Sequence, residues 1–175
     1  MKSHKFNQGF SLIELLLVVA IIGIIAAIAI PNLLSSRRAA NEASALATMR
    51  IISGGEATYQ ATTGAGLFGD LTALRNNNIV DASVGAATIA GPGTAKLGYL
   101  FSAENITGVG APAFDVKSQP IVHVSASLLG ATGSRSFYVN ESGVVYYNMT
   151  GTAPTCTATS ARSVTAGTGG GPLNN

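Results

Sequence analysis

The chain has no tryptophan, one cysteine and few charges: Asp, Glu, Lys and Arg make up only 10% of its 175 residues, against about 25% in ordinary soluble domains. Each shortage excludes something. Cys156 closes no intramolecular disulfide and builds no thiolate metal cluster by itself, so it reads as a small, partly buried side chain in the C-terminal region. The two histidines, His4 and His123, stand on opposite sides of the longest apolar run and do not form a joint metal site. His123, in the alternating stretch IVHVS, reads as an outward-facing strand residue. Lys2 and Lys5 carry the net charge of +2; without them eight basic residues face eight acidic ones. That balance leaves no basic patch, and no nucleic acid is expected as a partner of the isolated chain. No Ser-His-Asp, Cys-His or paired-carboxylate arrangement is visible, nor a glycine loop that cradles phosphate. The chain does not read as an enzyme, and no cofactor and no metal is implied.

What is present is grease, and one acid within it. Residues 10–30 read FSLIELLLVVAIIGIIAAIAI, 21 residues with Glu14 as their only ionisable side chain. A bilayer-spanning helix needs about 20 mostly apolar residues, so the run is long enough. A carboxylate in hydrocarbon costs about 2.5–3.5 kcal/mol on insertion scales and is functional by default. Glu14 lies near one end of the run, behind a short polar leader, MKSHKFNQG, that carries Lys2 and Lys5. Three roles fit it: snorkelling to the headgroups, complementing the positive end of the helix dipole, and pairing with a positive charge of another subunit. Ala27-Ile28-Ala29 also has the look of a signal-peptidase site, and cleavage there leaves a secreted domain starting at Ile30.

Pro31 ends the apolar run without ending the helical pattern. Residues 32–62 contain no further proline and consist mostly of residues that a helix tolerates. Ala45, Thr48, Ile52, Gly55, Tyr59 and Thr62 recur at spacings of three and four, a single helix face. Gly54 and Gly55 mark either a close approach of the helix to a sheet or local fraying. Gly64 and Gly66 end the pattern. Beyond them LTALRNNNIVD reads as a short helix closing at Asn76–Asn78, and AGPGTA as loop. GYLFS (98–102), IVHVSAS (121–127), RSFYV (135–139) and VVYYN (144–148) read as strands, the last two joined by a hairpin loop ending in Gly143. The fold class is therefore α+β: a long N-terminal helix, transmembrane in its first half and amphipathic in its second, packed on an antiparallel sheet of three or four strands. The expected organisation is a leader at 1–9, a membrane helix at 10–30, its amphipathic continuation at 31–63, a globular part at 64–166 and a flexible, Gly-rich tail at 167–175.

Gly9-Phe10-Ser11-Leu12-Ile13-Glu14-Leu15, the apolar run and Pro31-Asn32 together closely resemble the N-terminus of type IV prepilins. That family comprises the pilins of type IV pili and the pseudopilins of type II secretion systems. The resemblance covers about residues 1–60 and lies in five features in one register: basic leader, cleavage glycine, hydrophobic first residue, glutamate four residues on, and spanning run. It implies cleavage between Gly9 and Phe10 by a prepilin peptidase of the bacterial inner membrane and N-methylation of the new Phe10 amine. It implies Glu14 as the residue that sets register between subunits, by pairing with the Phe10 amine of a neighbour. Gly23 and Pro31 become the weak stretch of the span, where the helix either bends or loosens in the filament. The implied life history is a single-pass inner-membrane prepilin among lipid, with its C-terminal domain in the periplasm. An inner-membrane assembly platform then builds it into an extracellular helical homopolymer used for attachment or twitching motility. The alternative is a major pseudopilin-like subunit of a type II secretion system.

Two departures bear on that choice. A lone Cys156 cannot close the C-terminal disulfide loop found in many pilins, so packing or hydrogen bonds must hold that region. The C-terminal calcium site of many major pseudopilins is built from carboxylates, and beyond Asp115 only Glu141 is acidic; this favours a pilin. Phe10 and Tyr59 are the only aromatics on the long helix, which does not support a stacked path for charge transport. Asn105, Asn140 and Asn148 each begin a glycosylation tripeptide, a pattern common by chance.

Overall fold

A computed structural model describes residues 9–89, 94–124, 129–156, 162–167 and 169–173. The chain divides into two compact units, Met1–Ser36 and Arg37–Asn175. Helix α1, Leu12–Ala61, contributes to both. It runs through Gly23 and Pro31 without interruption, although proline supplies no N–H to the carbonyl one turn before it.

In the first unit the helix is all there is to describe. Its large apolar side chains, from Leu12 through Leu33, are exposed, and its apolar window has no buried part, which makes α1 the one helix among the described residues that is long and apolar enough to cross a membrane.

The second unit has a core. The later turns of α1 bury Glu42, Ala45, Thr48, Met49, Ile52, Gly55 and Glu56. Ala45, Thr48, Ile52 and Gly55 lie on the expected stripe; Thr62 lies beyond the helix and is exposed. Gly55 is a true close approach: a Cβ there would stand 2.9 Å from Ile79, whereas one on Gly54 would meet nothing within 4 Å. The neighbour is thus the segment after the second helix and not the sheet. Helix α2, Leu71–Asn76, is capped by Asp70, which accepts from the Ala73 N–H at 2.6 Å. Helix α3, Ala82–Ala86, follows.

Strands β1 (Tyr99–Ile106), β2 (Ala113–Pro120), β3 (Ser136–Asn140), β4 (Val145–Asn148) and β7 (Gly171–Pro172) form one five-stranded antiparallel sheet in the order β1-β2-β3-β4-β7. Strands β5 (Thr155–Cys156) and β6 (Val164–Thr165) pair separately. The class is α+β as expected, with more strands than the three or four foreseen. The β3–β4 turn closes with Gly143 at φ +72°, and its N–H donates to the Asn140 carbonyl at 2.9 Å.

Two strand assignments need correction. Of IVHVSAS, residues 121–124 are not a strand but bends, a turn and an isolated bridge from His123 to Gly133; residues 125–128 lie outside the described residues. The Ile121 N–H donates to Gly98 O at 3.0 Å, while residues 122–124 bond a crossing loop, with the Thr132 N–H donating to Val122 O at 2.8 Å and His123 Nε2 lying 2.7 Å from Ser134 O. The true neighbour of β1 is AFDVKSQP, too polar to read as a strand from composition. The tail also differs from expectation: Gly171 and Pro172 pair with Tyr147 and Tyr146, and the Leu173 N–H donates to Val145 O at 2.8 Å.

Strand β3 is buried along its whole length, which explains the polar residues of β2. Its Phe137 and Val139 belong to the core shared with Met49 and Ile52 of α1. Tyr138 and Asn140 point to the opposite face of the sheet, since side chains alternate along a strand. There Arg162, only 9% exposed, pairs with Asp115, 6% exposed. Tyr138 donates to Asp115 Oδ1 at 2.7 Å, Glu141 Oε1 lies 2.6 Å from Arg162 Nε, and Asn140 Nδ2 donates to Cys156 Sγ at 3.9 Å. Burial works against the Arg162 charge, yet the bond to Asp115 and the charges of Asp115 and Glu141 hold its pKa above the ordinary arginine value. Burial, then the bond to Asp115, pushes the Tyr138 hydroxyl well above the usual tyrosine range. This ion cluster ties the C-terminal segment to the sheet where no disulfide does.

Candidate processing and assembly site at the helix N-terminus

Gly9, Phe10 and Ser11 precede the first turn of α1 in non-helical backbone. Phe10 is 82% exposed, and a Cβ on Gly9 would meet nothing within 4 Å. Both residues flanking the Gly9–Phe10 bond are thus exposed. Residues 1–8, including the basic leader, lie outside the described residues.

Ser11 occupies the N-cap position and Glu14 the third residue of the helix. Glu14 Oε2 accepts from the Ser11 N–H at 2.9 Å. Four N–H groups at a helix start have no partner within the helix, and a glutamate at this position reaching back to the N-cap amide is half of a capping box. The carboxylate also faces the positive end of the helix dipole. Its own backbone is thus one stated partner of Glu14, and the bond engages one carboxylate oxygen. The sequence signal for this bond is Ser11-x-x-Glu14 ahead of an apolar run, a capping pattern more specific than a dipole complement.

Of the residues singled out from sequence, Gly9, Phe10 and Glu14 lie together at the start of α1, with Ser11 as the missed fourth member. Gly23 and Pro31 lie further along the same exposed stretch and are helical. Gly23 meets no neighbour within 4 Å. Among the described residues no group of three or more His, Cys, Asp or Glu is placed to hold a metal ion. Of the three glycosylation tripeptides, Asn140 and Asn148 are buried and hydrogen-bonded; Asn105 is half-buried in β1.

The family described as "Prokaryotic N-terminal methylation motif" matches residues 4–30, from His4 to the end of the apolar run. The chain is 63% identical over 35 residues to the type IV wide pilus major component PilA4 of Thermus thermophilus, a stretch covering 20% of this chain and 27% of that protein. It is 48% identical over 46 residues to the type IV major pilin protein PilA of Myxococcus xanthus, covering 26% of this chain and 21% of that protein. The matched part thus spans about a quarter of the length of these curated relatives. No solved structure matches the chain. The match places a prokaryotic N-terminal methylation motif over residues 4–30, ahead of and within the apolar stretch of α1. The chain's N-terminal segment is, more particularly, similar to those of these two type IV pilins.

Proposed function

We propose that this chain is the structural subunit of a type IV pilus filament. The observation that carries the reading is the shared register of an accessible Gly9–Phe10 bond, a first-turn Glu14 and an apolar helix with no partner in its own unit. Lys2 and Lys5 keep the leader on the cytoplasmic face by the positive-inside rule, which places the C-terminal domain in the periplasm. Prepilin peptidase cleaves after Gly9, the Phe10 amine is methylated, and the helix waits in lipid until the assembly platform extracts it. In the filament the apolar stretches of many copies bury one another. Glu14 then needs a cationic partner, because a charge in a dry environment is costly unless paired. The methylated Phe10 amine of a neighbour is that partner, and pairing fixes the axial stagger as a buried polar residue fixes register in a coiled coil. The Ser11 N–H holds the carboxylate in place while its second oxygen receives the amine. Gly23 to Pro31, with one backbone bond missing, is the stretch that loosens when the rod is pulled. The assembled fibre serves attachment or motility at the cell surface.

The test is a Glu14→Ala chain in its native host. Membrane insertion should persist, because the change removes an insertion cost, while filament yield falls at least tenfold. Normal yield from that variant would remove Glu14 from the mechanism. Intact mass of filament protein should show a chain starting at methylated Phe10; a start at Ile30 would instead mean an ordinary signal peptide. Recovery only from the periplasm, never from surface fibres, would point to a secretion pseudopilin.

A further inference from the structure

Glu56 lies on α1, 26 residues beyond the end of the apolar run, with none of its surface exposed. Its Oε2 accepts from the Gly69 N–H at 2.9 Å. Its Oε1 is buried and has no hydrogen-bond partner among the described residues. Gly69 belongs to the connection that leaves α1 and enters α2, a segment made of unusual backbone: Ala65 and Gly66 have φ of 49° and 90°. Gly64 and Gly69 both rest on the Tyr59 ring. Phe68, next to Gly69, is buried with its ring 4.8 Å from that of Phe114. Nearer the helix end, Gln60 Nε2 donates to Gly66 O at 3.1 Å; Glu56 is the α1 side chain that holds the Gly69 end of this connection.

We propose that Glu56 is a protonation-controlled latch, holding the 64–70 connection against the core while its carboxyl is neutral and releasing it on ionisation. A neutral carboxyl accepts the Gly69 N–H and leaves one unpaired oxygen at modest cost. An anion in the same place brings a full charge into a site with one donor. Burial accordingly pushes the Glu56 carboxyl up to about 7; the Gly69 bond opposes the shift and the negative charge of Asp70 adds to it. Asp70, at the start of α2, is the charged group whose field reaches Glu56 among the described residues, and Tyr59 is the nearby titratable group on α1. The folded value lies above the ordinary 4.5. The contribution of Glu56 to stability is therefore complete below about pH 4.5 and is lost as pH rises through about 7.

The experiment uses the full chain in detergent micelles. Amide exchange at Gly69, corrected for its intrinsic pH dependence, should lose protection by up to about tenfold per pH unit between pH 5 and 7 and level off above. Glu56→Gln should abolish that dependence. Asp70→Asn, which still caps α2, should shift the window to lower pH. Carbon-13 NMR of the Glu56 carboxyl reads the same group without mutation, with a midpoint near 7. A midpoint near 4.5, or a Gly69 profile identical in the wild type and Glu56→Gln, would overturn the latch. The reading does not rest on filament formation, so it stands or falls apart from the proposed function.

Discussion

Residues 12–36 and 37–61 of α1 share one helical backbone and have opposite surroundings. The first stretch shows its Leu, Ile and Val side chains to the outside, and its one carboxylate is met by the N–H of its own N-cap. The second stretch buries two carboxylates. Glu42, 5% exposed, accepts from the Ser134 N–H at 2.7 Å and from Arg135 Nε at 2.8 Å. Glu56 accepts from one N–H alone. Three glutamates on one helix thus sit in three settings: a local cap, a paired ion and an underpartnered buried acid. The lesson is that among the described residues the apolar stretch is left uncovered, while the later stretch is packed into this chain's own domain. In the domain, buried ions do the joining that a disulfide does elsewhere.

That contrast can be broken by removing the domain's ion partners. Arg162→Met should have the largest effect, because it leaves Asp115 buried without its cation. The cost should be about 3–5 kcal/mol, read by chemical denaturation of the full chain in detergent, with the first stretch of α1 still helical. A loss under about 1 kcal/mol would mean that the cluster is no more than a surface pair. Glu42→Ala should cost about 3 kcal/mol, the lower end of that range, because Arg135 is 37% exposed and water can take up part of its charge. It should also free the 132–135 loop, seen as faster amide exchange at Ser134.

The adjacent glycines sharpen the comparison at the scale of one methyl group. Gly55→Ala drives a Cβ to 2.9 Å from Ile79 and should cost about 1–3 kcal/mol as local overpacking. Gly54→Ala adds a methyl to open space and should stabilise the helix by about 0.5–1 kcal/mol. Equal effects from the two would mean that the helix does not present its Gly55 face to the 79–80 segment. The Glu14→Ala chain belongs at the end of this series, since it should leave the domain's denaturation midpoint unchanged while assembly is lost.

Much of the site was legible in the chain itself. Gly9, Phe10 and Glu14 stand out because Glu14 is the one ionisable side chain in a 21-residue apolar run that opens at Phe10. The capping bond from Ser11 was equally local and equally readable. The sheet was less so. RSFYV and VVYYN announced β3 and β4 through their β-branched and aromatic residues, but AFDVKSQP did not announce β2. Asp115 and Ser118 are tolerated there only because Arg162, Tyr138 and Met49 reach them from distant parts of the chain. IVHVSAS misled for the converse reason: its alternation is real, yet the hydrogen bonds of residues 121–124 go to Gly98 and the 132–134 loop.

By itself the sequence determined the helix, its apolar stretch and the cap at its start, because these depend on residues within a few turns of one another. Helical period, capping and bilayer length are all local quantities. Only the tertiary structure decided which strands neighbour each other, why β3 is buried on both faces, and that Arg162 closes the C-terminal segment onto Asp115. The stability of a buried charge depends on whatever the folded chain brings beside it, and neighbours 47 positions away in sequence leave no mark in any local pattern.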